Sequence, residues 1–515
     1  MSSLCEITLD GHSLEPETLY RVARTLATTN EKVRIKIADA ARERIRASAD
    51  FVKRVIAGDK AVYGINTGFG KFAEVSIAKE KLCDLQKNLI LSHCCGVGQP
   101  FERSLVFCAT LIRLNVLCRG NSGVRPETVD ALVASLETRF IASVPSQGSV
   151  GASGDLAPSA HVIAALMGYG EAEFFDGKTW RLGDAGELLA LAKLKPLELA
   201  PKEGLALING TQFTAAYAAH GLHSAKALLD ASLLTLAMSI EGLRASHGIF
   251  NRNVVESHNH PGSVYCADKL AAWLPASTAI AESHENCGRV QDPYSLRCAP
   301  QVQGALFEEI QDAEETIRLE INCSTDNPLI FVNDGPSGSV RSGGNFHAIH
   351  SARVNDSLAS CITTLASICE RRVFLAMSPD LNAGLPAFLS PEGGLNSGLM
   401  IAQVTAAALV SENKALSFPA SVDSIPTSDN KEDHVSMGPI AGKKLSMIID
   451  NTWHVLGIEL LSAAQALHLL RPLKSSPAIE SLLVRYRKEV SPFDRDRYFA
   501  SDINAATKFL KDEFL

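Results

Sequence analysis

The sequence predicts a mainly α-helical protein, a bundle of long helices preceded by a smaller N-terminal lobe. Three observations carry that reading. Apolar residues recur at three- and four-residue steps over stretches longer than an average helix. Strand signals are few and short, and no internal repeat or low-complexity tail interrupts the pattern.

Taken in order, the chain to about residue 215 mixes short helical patterns with glycine-bearing turns, such as Gly64-Ile65-Asn66-Thr67-Gly68-Phe69-Gly70. Beyond that point long patterns dominate. From His223 to His247, Leu228, Leu229, Leu233, Leu236, Ile240 and Leu243 fall on one helical face. From Gln303 to Ile321, Glu308, Glu309, Glu314, Glu315 and Glu320 oppose Leu306, Ile310 and Ile317. Arg353–Glu370 and Pro439–Leu470 extend the series, the latter stopping before Pro472. Strands are expected only around Phe174-Phe175 and Leu329-Ile330-Phe331. The expected organisation is an N-terminal lobe over 1–215 and a long-helix bundle with a C-terminal helical region over 216–515.

The 515 residues suffice for two or three lobes around a large core. With 49 basic against 57 acidic residues the net charge is -8, which argues against a nucleic-acid or membrane-surface role. The 12 cysteines include no C-x-x-C pair, only the adjacent Cys94-Cys95, so zinc spacing is absent and reduced thiols are expected. Met1-Ser2-Ser3-Leu4-Cys5-Glu6 lacks the basic and apolar regions of a signal peptide, and no apolar run spans a bilayer. A cytoplasmic protein is expected.

The segment that ordinary packing does not explain is Gly148-Ser149-Val150-Gly151-Ala152-Ser153-Gly154, in which three of seven residues are glycine and none is larger than valine. Glycine tolerates positive φ and close backbone approach, so this run can bend sharply. A sharp bend can bring the Gly154 amide nitrogen against the Ala152 carbonyl carbon. Ring closure with loss of two waters, one from the Ser153 side chain, then leaves an exocyclic methylidene. That is an electrophile no standard side chain supplies. On composition alone the run also fits a flexible loop. A nucleophile elbow does not fit, because Asp155 stands where G-x-S-x-G needs glycine. Nor does a phosphate loop, since no Lys-Ser or Lys-Thr pair follows.

The segment continuing through Asp155-Leu156-Ala157-Pro158 resembles the signature of the aromatic amino acid ammonia-lyases. In that family the Ala-Ser-Gly triplet matures into a methylidene-imidazolone prosthetic group. The resemblance extends over nearly the whole chain and implies the long-helix bundle of the aspartase/fumarase type. The G-S-S-x-M-P-x-K-x-N loop of the fumarase and argininosuccinate lyase group is absent. The implied reaction is non-oxidative loss of ammonia from an α-amino acid, with no added cofactor. It needs an electrophile, a base, a carboxylate anchor and a shaped pocket, because the β-proton is weakly acidic and the amine a poor leaving group.

By resemblance, Ala152, Ser153 and Gly154 form the electrophile and Tyr63 is the base. A tyrosine near pKa ~10 is a poor base at neutral pH, so a positive field from helix N-termini is expected. Arg297, in Gln291-Asp292-Pro293-Tyr294-Ser295-Leu296-Arg297, matches the family's carboxylate anchor, whose planar fork gives two parallel hydrogen bonds. Tyr294 and Gln291 come with it as polar partners. Asn209 matches an asparagine that orients the substrate, and Phe346, in Gly343-Gly344-Asn345-Phe346-His347, a wall of the pocket. Read without the resemblance, Tyr63 and Phe346 also fit core aromatics and Arg297 a solvated surface residue.

Two positions bear on the substrate. Ser92-His93 resembles the pattern of the family's histidine-acting members, where phenylalanine lyases carry Phe-Leu and tyrosine lyases His-Leu. Glu432 stands where phenylalanine lyases tend to carry glutamine. Both side chains can hydrogen-bond imidazole nitrogens, and against a phenyl ring each would be left unpaired at roughly 1–3 kcal/mol. The resemblance therefore implies L-histidine as substrate, trans-urocanate and ammonia as products, and a homotetramer with Ser153 and Arg297 supplied by different chains. A 2,3-aminomutase, a lyase for another aromatic amino acid and an inactive scaffold are the alternatives. Lys431 departs from the glutamine usual among the histidine-acting members. No metal site is expected at His258-Asn259-His260, which lacks a third ligand nearby, and His434 beside Asp433 is read as structural.

Overall fold

The computed structural model describes residues 4–58, 62, 64–68, 77–275, 277–335 and 337–515. The chain forms two compact units: Met1–His220 with Glu314–Asp356 and Pro419–Lys443, and Gly221–Ala313 with Ser357–Phe418 and Lys444–Leu515. The N-terminal portion of the first unit ends at His220. That unit also takes in 314–356 and 419–443, because the division falls inside four long helices, Gln212–Gly242, Ala299–Glu320, Ile349–Met377 and Gly438–Leu469.

In the first unit, Leu4–Leu9 pairs in parallel with Lys32–Ile37. Both strands alternate, burying Cys5, Ile7 and Leu9 and Val33, Ile35 and Ile37. The helix Pro16–Thr28 connects them, starting at a proline whose missing N–H is no loss in the first turn. The helix Arg103–Cys118 is buried from Leu105 to Cys118 and forms the centre of this unit's core. Phe140–Ala142, Glu171–Phe175 and Trp180–Asp184 make a three-stranded antiparallel sheet that contains the expected Phe174-Phe175 strand. Leu329–Phe331 forms the other expected strand, paired with Ser339–Arg341.

The second unit is helical. Its core draws on Leu228, Leu233, Leu236 and Ile240 and on Val455, Leu456 and Leu460, all buried. Arg372 and Glu459 are buried together, joined at 2.5 and 3.0 Å, and Thr235 and Ser239 donate to the same carboxylate. A charge pair so enclosed tolerates neither partner's removal.

The long helices differ from expectation mainly at their ends. The one read from His223 to His247 runs Gln212–Gly242. It stops because Arg244 turns left-handed at φ 48° and the Ala245 N–H closes back on the Ile240 carbonyl at 2.8 Å. Among the described residues no helix is long and apolar enough to cross a membrane.

Candidate active site

The glycine-rich run lies in the first unit, directly before the helix Leu156–Leu166. Gly154 has φ 78°, and a Cβ there would stand 2.2 Å from the Gly210 carbonyl oxygen. The two glycines pair as an isolated parallel bridge, and the Asp155 N–H donates to the Gly210 oxygen at 2.7 Å. Gly151, at φ 68°, has the Ser436 hydroxyl 2.2 Å from where its Cβ would be. Glycine at these two positions is therefore a steric requirement.

Helix N-termini surround the run. Asp155 leads into Leu156–Leu166 and its buried carboxylate accepts from the Phe213 and Thr214 N–H groups at 2.9 and 2.8 Å, at the start of Gln212–Gly242. The Met437 N–H donates to the Val150 carbonyl at 2.9 Å, immediately before Gly438–Leu469. Each of these helix starts is a source of positive potential beside the run. Burial pushes the Asp155 carboxyl up to about 6, against the lowering by its Thr214 and Phe213 donors.

Within this frame Gly151, Gly154 and Asp155 are buried, while Ala152 and Ser153 are half-buried. The Asn209 amide donates to the Ser153 carbonyl at 2.7 Å. The Ser153 hydroxyl donates to Glu432 Oε1 at 2.5 Å, and Thr427 and Ser428 hydroxyls donate to Glu432 Oε2 at 2.6 and 2.8 Å. Burial alone would raise the Glu432 carboxyl, but these three hydroxyls and the nearby His93 outweigh it and hold it below the usual range. His93 ends the helix Leu82–His93 and is lowered chiefly by burial, against the raising by the Leu89 carbonyl and Glu432. Its Nδ1 faces that carbonyl at 2.8 Å and so carries the proton, leaving Nε2 as an acceptor in the neutral ring. Ser92, beside it, is exposed and donates to the same carbonyl at 3.1 Å.

Phe346 is half-buried in the turn before Ile349–Met377. The neighbouring His347 stacks on His434 with centroids 5.6 Å apart, and its Nε2 lies 3.3 Å from the His434 carbonyl oxygen. That contact sets the turn against the segment bearing Glu432. Lys431, the departure from the family pattern, is exposed.

Gln291, Tyr294 and Arg297 are grouped in the second unit. Arg297 Nη2 donates to Gln291 Oε1 at 3.1 Å and its Nε to the Asp292 carbonyl at 3.3 Å. Its guanidinium lies 4.8 Å from the centroid of the Tyr294 ring, which is 71% exposed. Arg297 and Gln291 line a cavity of about 750 Å³ with His247, Arg289 and Gln301. Tyr63 lies outside the described residues. The rings of His258 and His260 lie tilted with centroids 4.6 Å apart, engaging Ser263 and Glu308 respectively. Among the described residues no cluster of three or more His, Cys, Asp or Glu could hold a metal.

Sequence reasoning passed over Asp155, Gly210, Thr427, Ser428 and Ser436. Asp155 was open to detection as an acidic residue just ahead of an apolar helical run. The Thr427 and Ser428 hydroxyls carry no signal of their own, because a loop alone fixes them on Glu432.

The family model for aromatic amino acid lyases matches residues 14–488. A histidine ammonia-lyase of Pseudomonas fluorescens (strain SBW25) is 44% identical, with 95% of this chain and 94% of that one covered. One of Aliivibrio fischeri (strain MJ11) is 46% identical, with 90% of each covered. The crystal structure of histidine ammonia-lyase from Trypanosoma cruzi superposes with a TM-score of 0.89 at 39% identity, over 98% of this chain and 93% of that one. A tyrosine aminomutase from Streptomyces globisporus superposes with a TM-score of 0.90 at 31% identity, over 99% and 97%. Sequence, fold and the constrained glycine-rich run agree: this chain belongs to the aromatic amino acid lyase family.

Proposed function

We propose that the protein eliminates ammonia from L-histidine to give trans-urocanate, using a methylidene-imidazolone made from Ala152, Ser153 and Gly154. The observation that carries the reading is the Ser153–Glu432 contact at 2.5 Å with the neutral His93 in the same field. The contact supports an imidazole-binding role for Glu432 and His93 beside Ser153, the proposed source of the electrophile. The 44–46% identity to histidine ammonia-lyases supports the same substrate.

The residues present fit the prosthetic group. Gly154 already holds a conformation that side-chain-bearing residues rarely adopt, and Asn209 polarises the Ser153 carbonyl, which favours loss of the neighbouring α-proton. Closure forms the Gly154 N to Ala152 C bond and expels the Ala152 oxygen as water. Loss of the Ser153 α-proton and hydroxyl as a second water leaves the methylidene. Glu432 holds the departing hydroxyl, and that departure frees Oε1 for a substrate imidazole. When present, the group supplies the electrophile that turns the amine into a leaving group.

The other roles fall to the chain's side chains. Arg297 and Gln291 bind the carboxylate, Tyr294 assists as a polar partner, Phe346 walls the ring, and Ser92 and His93 complete the imidazole side. Tyr63 takes the β-proton, helped by the helix N-termini. We further propose a cytoplasmic homotetramer whose sites combine residues from different chains. Large exposed apolar side chains on and near the helix Met400–Leu416, among them Ile401, Val404 and Phe418, support burial against another copy. Incubation with histidine tests the reaction. Urocanate and ammonia in equal amounts are expected, β-amino acid would indicate an aminomutase, and no product would indicate a scaffold.

A further inference from the structure

The helix Leu156–Leu166 follows the glycine-rich run directly, and His161 lies on it, half-buried. Its Nε2 accepts the Gly96 N–H at 3.1 Å. A ring nitrogen that accepts is unprotonated, so Nδ1 carries the proton of a neutral ring. Burial lowers the His161 pKa and so favours that neutral form. The fit is tight, because a Cβ on Gly96 would stand 3.1 Å from Nε2 and 3.2 Å from the Pro145 Cβ.

Gly96 sits between two parts of the proposed site. On one side the helix Leu82–His93 ends, and the Cys95 N–H closes back on the His93 carbonyl at 2.9 Å. On the other, Val97–Pro100 pairs antiparallel with Pro145–Gln147, the strand that leads into the glycine-rich run. A Cβ on Gly148, the first residue of that run, would be 3.0 Å from the Gly96 Cα. The turn after His93 is thereby held to the segment before Ser153 by a short strand pair, and to the helix after it by one hydrogen bond. The strand pair shifts register between Val97 and Pro100, which leaves the imidazole as the fixed point.

We propose that His161 is a positioning residue for imidazole recognition: by accepting the Gly96 N–H it fixes His93 relative to Ser153 and Glu432. The role rests on the histidine-lyase reading above. His161 acts through Gly96, on which its acceptor nitrogen is spent. A His93 turn free to drift presents Nε2 in poorer geometry, and hydrogen bonds weaken steeply with misalignment. The loss therefore falls on binding the ring rather than on activating the amine.

Kinetics of the full chain with His161→Leu and His161→Gln test the role. Leucine removes the acceptor, whereas a glutamine Oε1 accepts the Gly96 N–H in place of Nε2. In His161→Leu, KM for histidine and the calorimetric Kd for imidazole should rise together by about 2- to 10-fold, the loss of one neutral hydrogen bond. The kcat and the two-water mass deficit should be kept, and His161→Gln should restore both constants. Native constants in His161→Leu overturn the proposal, as do equal losses in the two variants or a loss confined to kcat. A native chain that binds imidazole but forms no urocanate counts against the proposed reaction alone, and the variants' Kd still decides the role of His161. If His161→Leu does not fold, His161→Asn, whose amide is too short to reach Gly96, should show the same rise.

Discussion

Replacing Glu432 by glutamine keeps the shape of the side chain and removes its charge. Two hydroxyls on Oε2, from Thr427 at 2.6 Å and Ser428 at 2.8 Å, fix the carboxylate so that Oε1 faces Ser153 at 2.5 Å. In Glu432→Gln the amide NH₂ donates to the two loop hydroxyls, which can accept as well as donate, and a neutral amide oxygen replaces the carboxylate oxygen as the acceptor facing the substrate. A hydrogen bond to a charged acceptor is worth about 1.5–3 kcal/mol and a neutral one about 0.5–1.5. The exchange therefore removes roughly 1–2 kcal/mol from binding an imidazole N–H. At about 1.4 kcal/mol per decade, kcat/KM for histidine should fall about 5- to 30-fold. Stability near neutral pH should fall only by the ionised carboxylate's small contribution, since the side chain is half-buried and the hydroxyls re-pair. In the native chain the lowered Glu432 pKa contributes stability that is present above the ordinary carboxylate value and lost as pH falls through its depressed one. The variant should lack that acid-side loss. Urocanate absorbance gives kcat/KM, a thermal melt the fold, and intact mass the state of the triplet. Unchanged histidine kcat/KM in a folded, dehydrated variant would remove Glu432 from the substrate site. With His93→Phe added, trace turnover of phenylalanine should rise, because the polar groups that oppose a phenyl ring are gone.

Gly154→Ala sets a methyl 2.2 Å from the Gly210 oxygen at φ 78°, so it should destabilise by about 2–4 kcal/mol and block dehydration; a fully dehydrated variant with native melting would refute the steric argument. Asp155 is raised to about 6 in the fold, so the stability it contributes is present below about pH 4 and declines as pH rises through 6. Unfolding at stepped pH should show this decline in the native chain and its absence in Asp155→Asn, and a persistent slope in the variant would assign it elsewhere. Co-refolding inactive Ser153→Ala with inactive Arg297→Ala chains should restore about a quarter of the sites if the two residues come from different protomers. Mixed oligomers with no recovered activity would place both in one chain's site.

The long helices were legible because their apolar period runs for many turns, and the strand at Leu329–Phe331 because it is a compact apolar run. Their ends were not, since a left-handed turn at Arg244 depends on local closure rather than on any glycine signal. The parallel pair Leu4–Leu9 and Lys32–Ile37 also went unread, although each strand alternates visibly, because pairing across an intervening helix is not a local property. In the site, the triplet announces itself through steric economy. The Ser153–Glu432 contact joins residues 279 positions apart, a register no local pattern carries. Resemblance could bring both residues forward, but only the fold shows that they touch.

Intact mass of the purified, active chain, with peptide mapping across 148–158, tests the central claim most directly. The account predicts a deficit of two waters, confined to the peptide containing Ala152, Ser153 and Gly154, and absent from Ser153→Ala along with nearly all histidine turnover. Full sequence mass in a preparation that converts histidine to urocanate would contradict it.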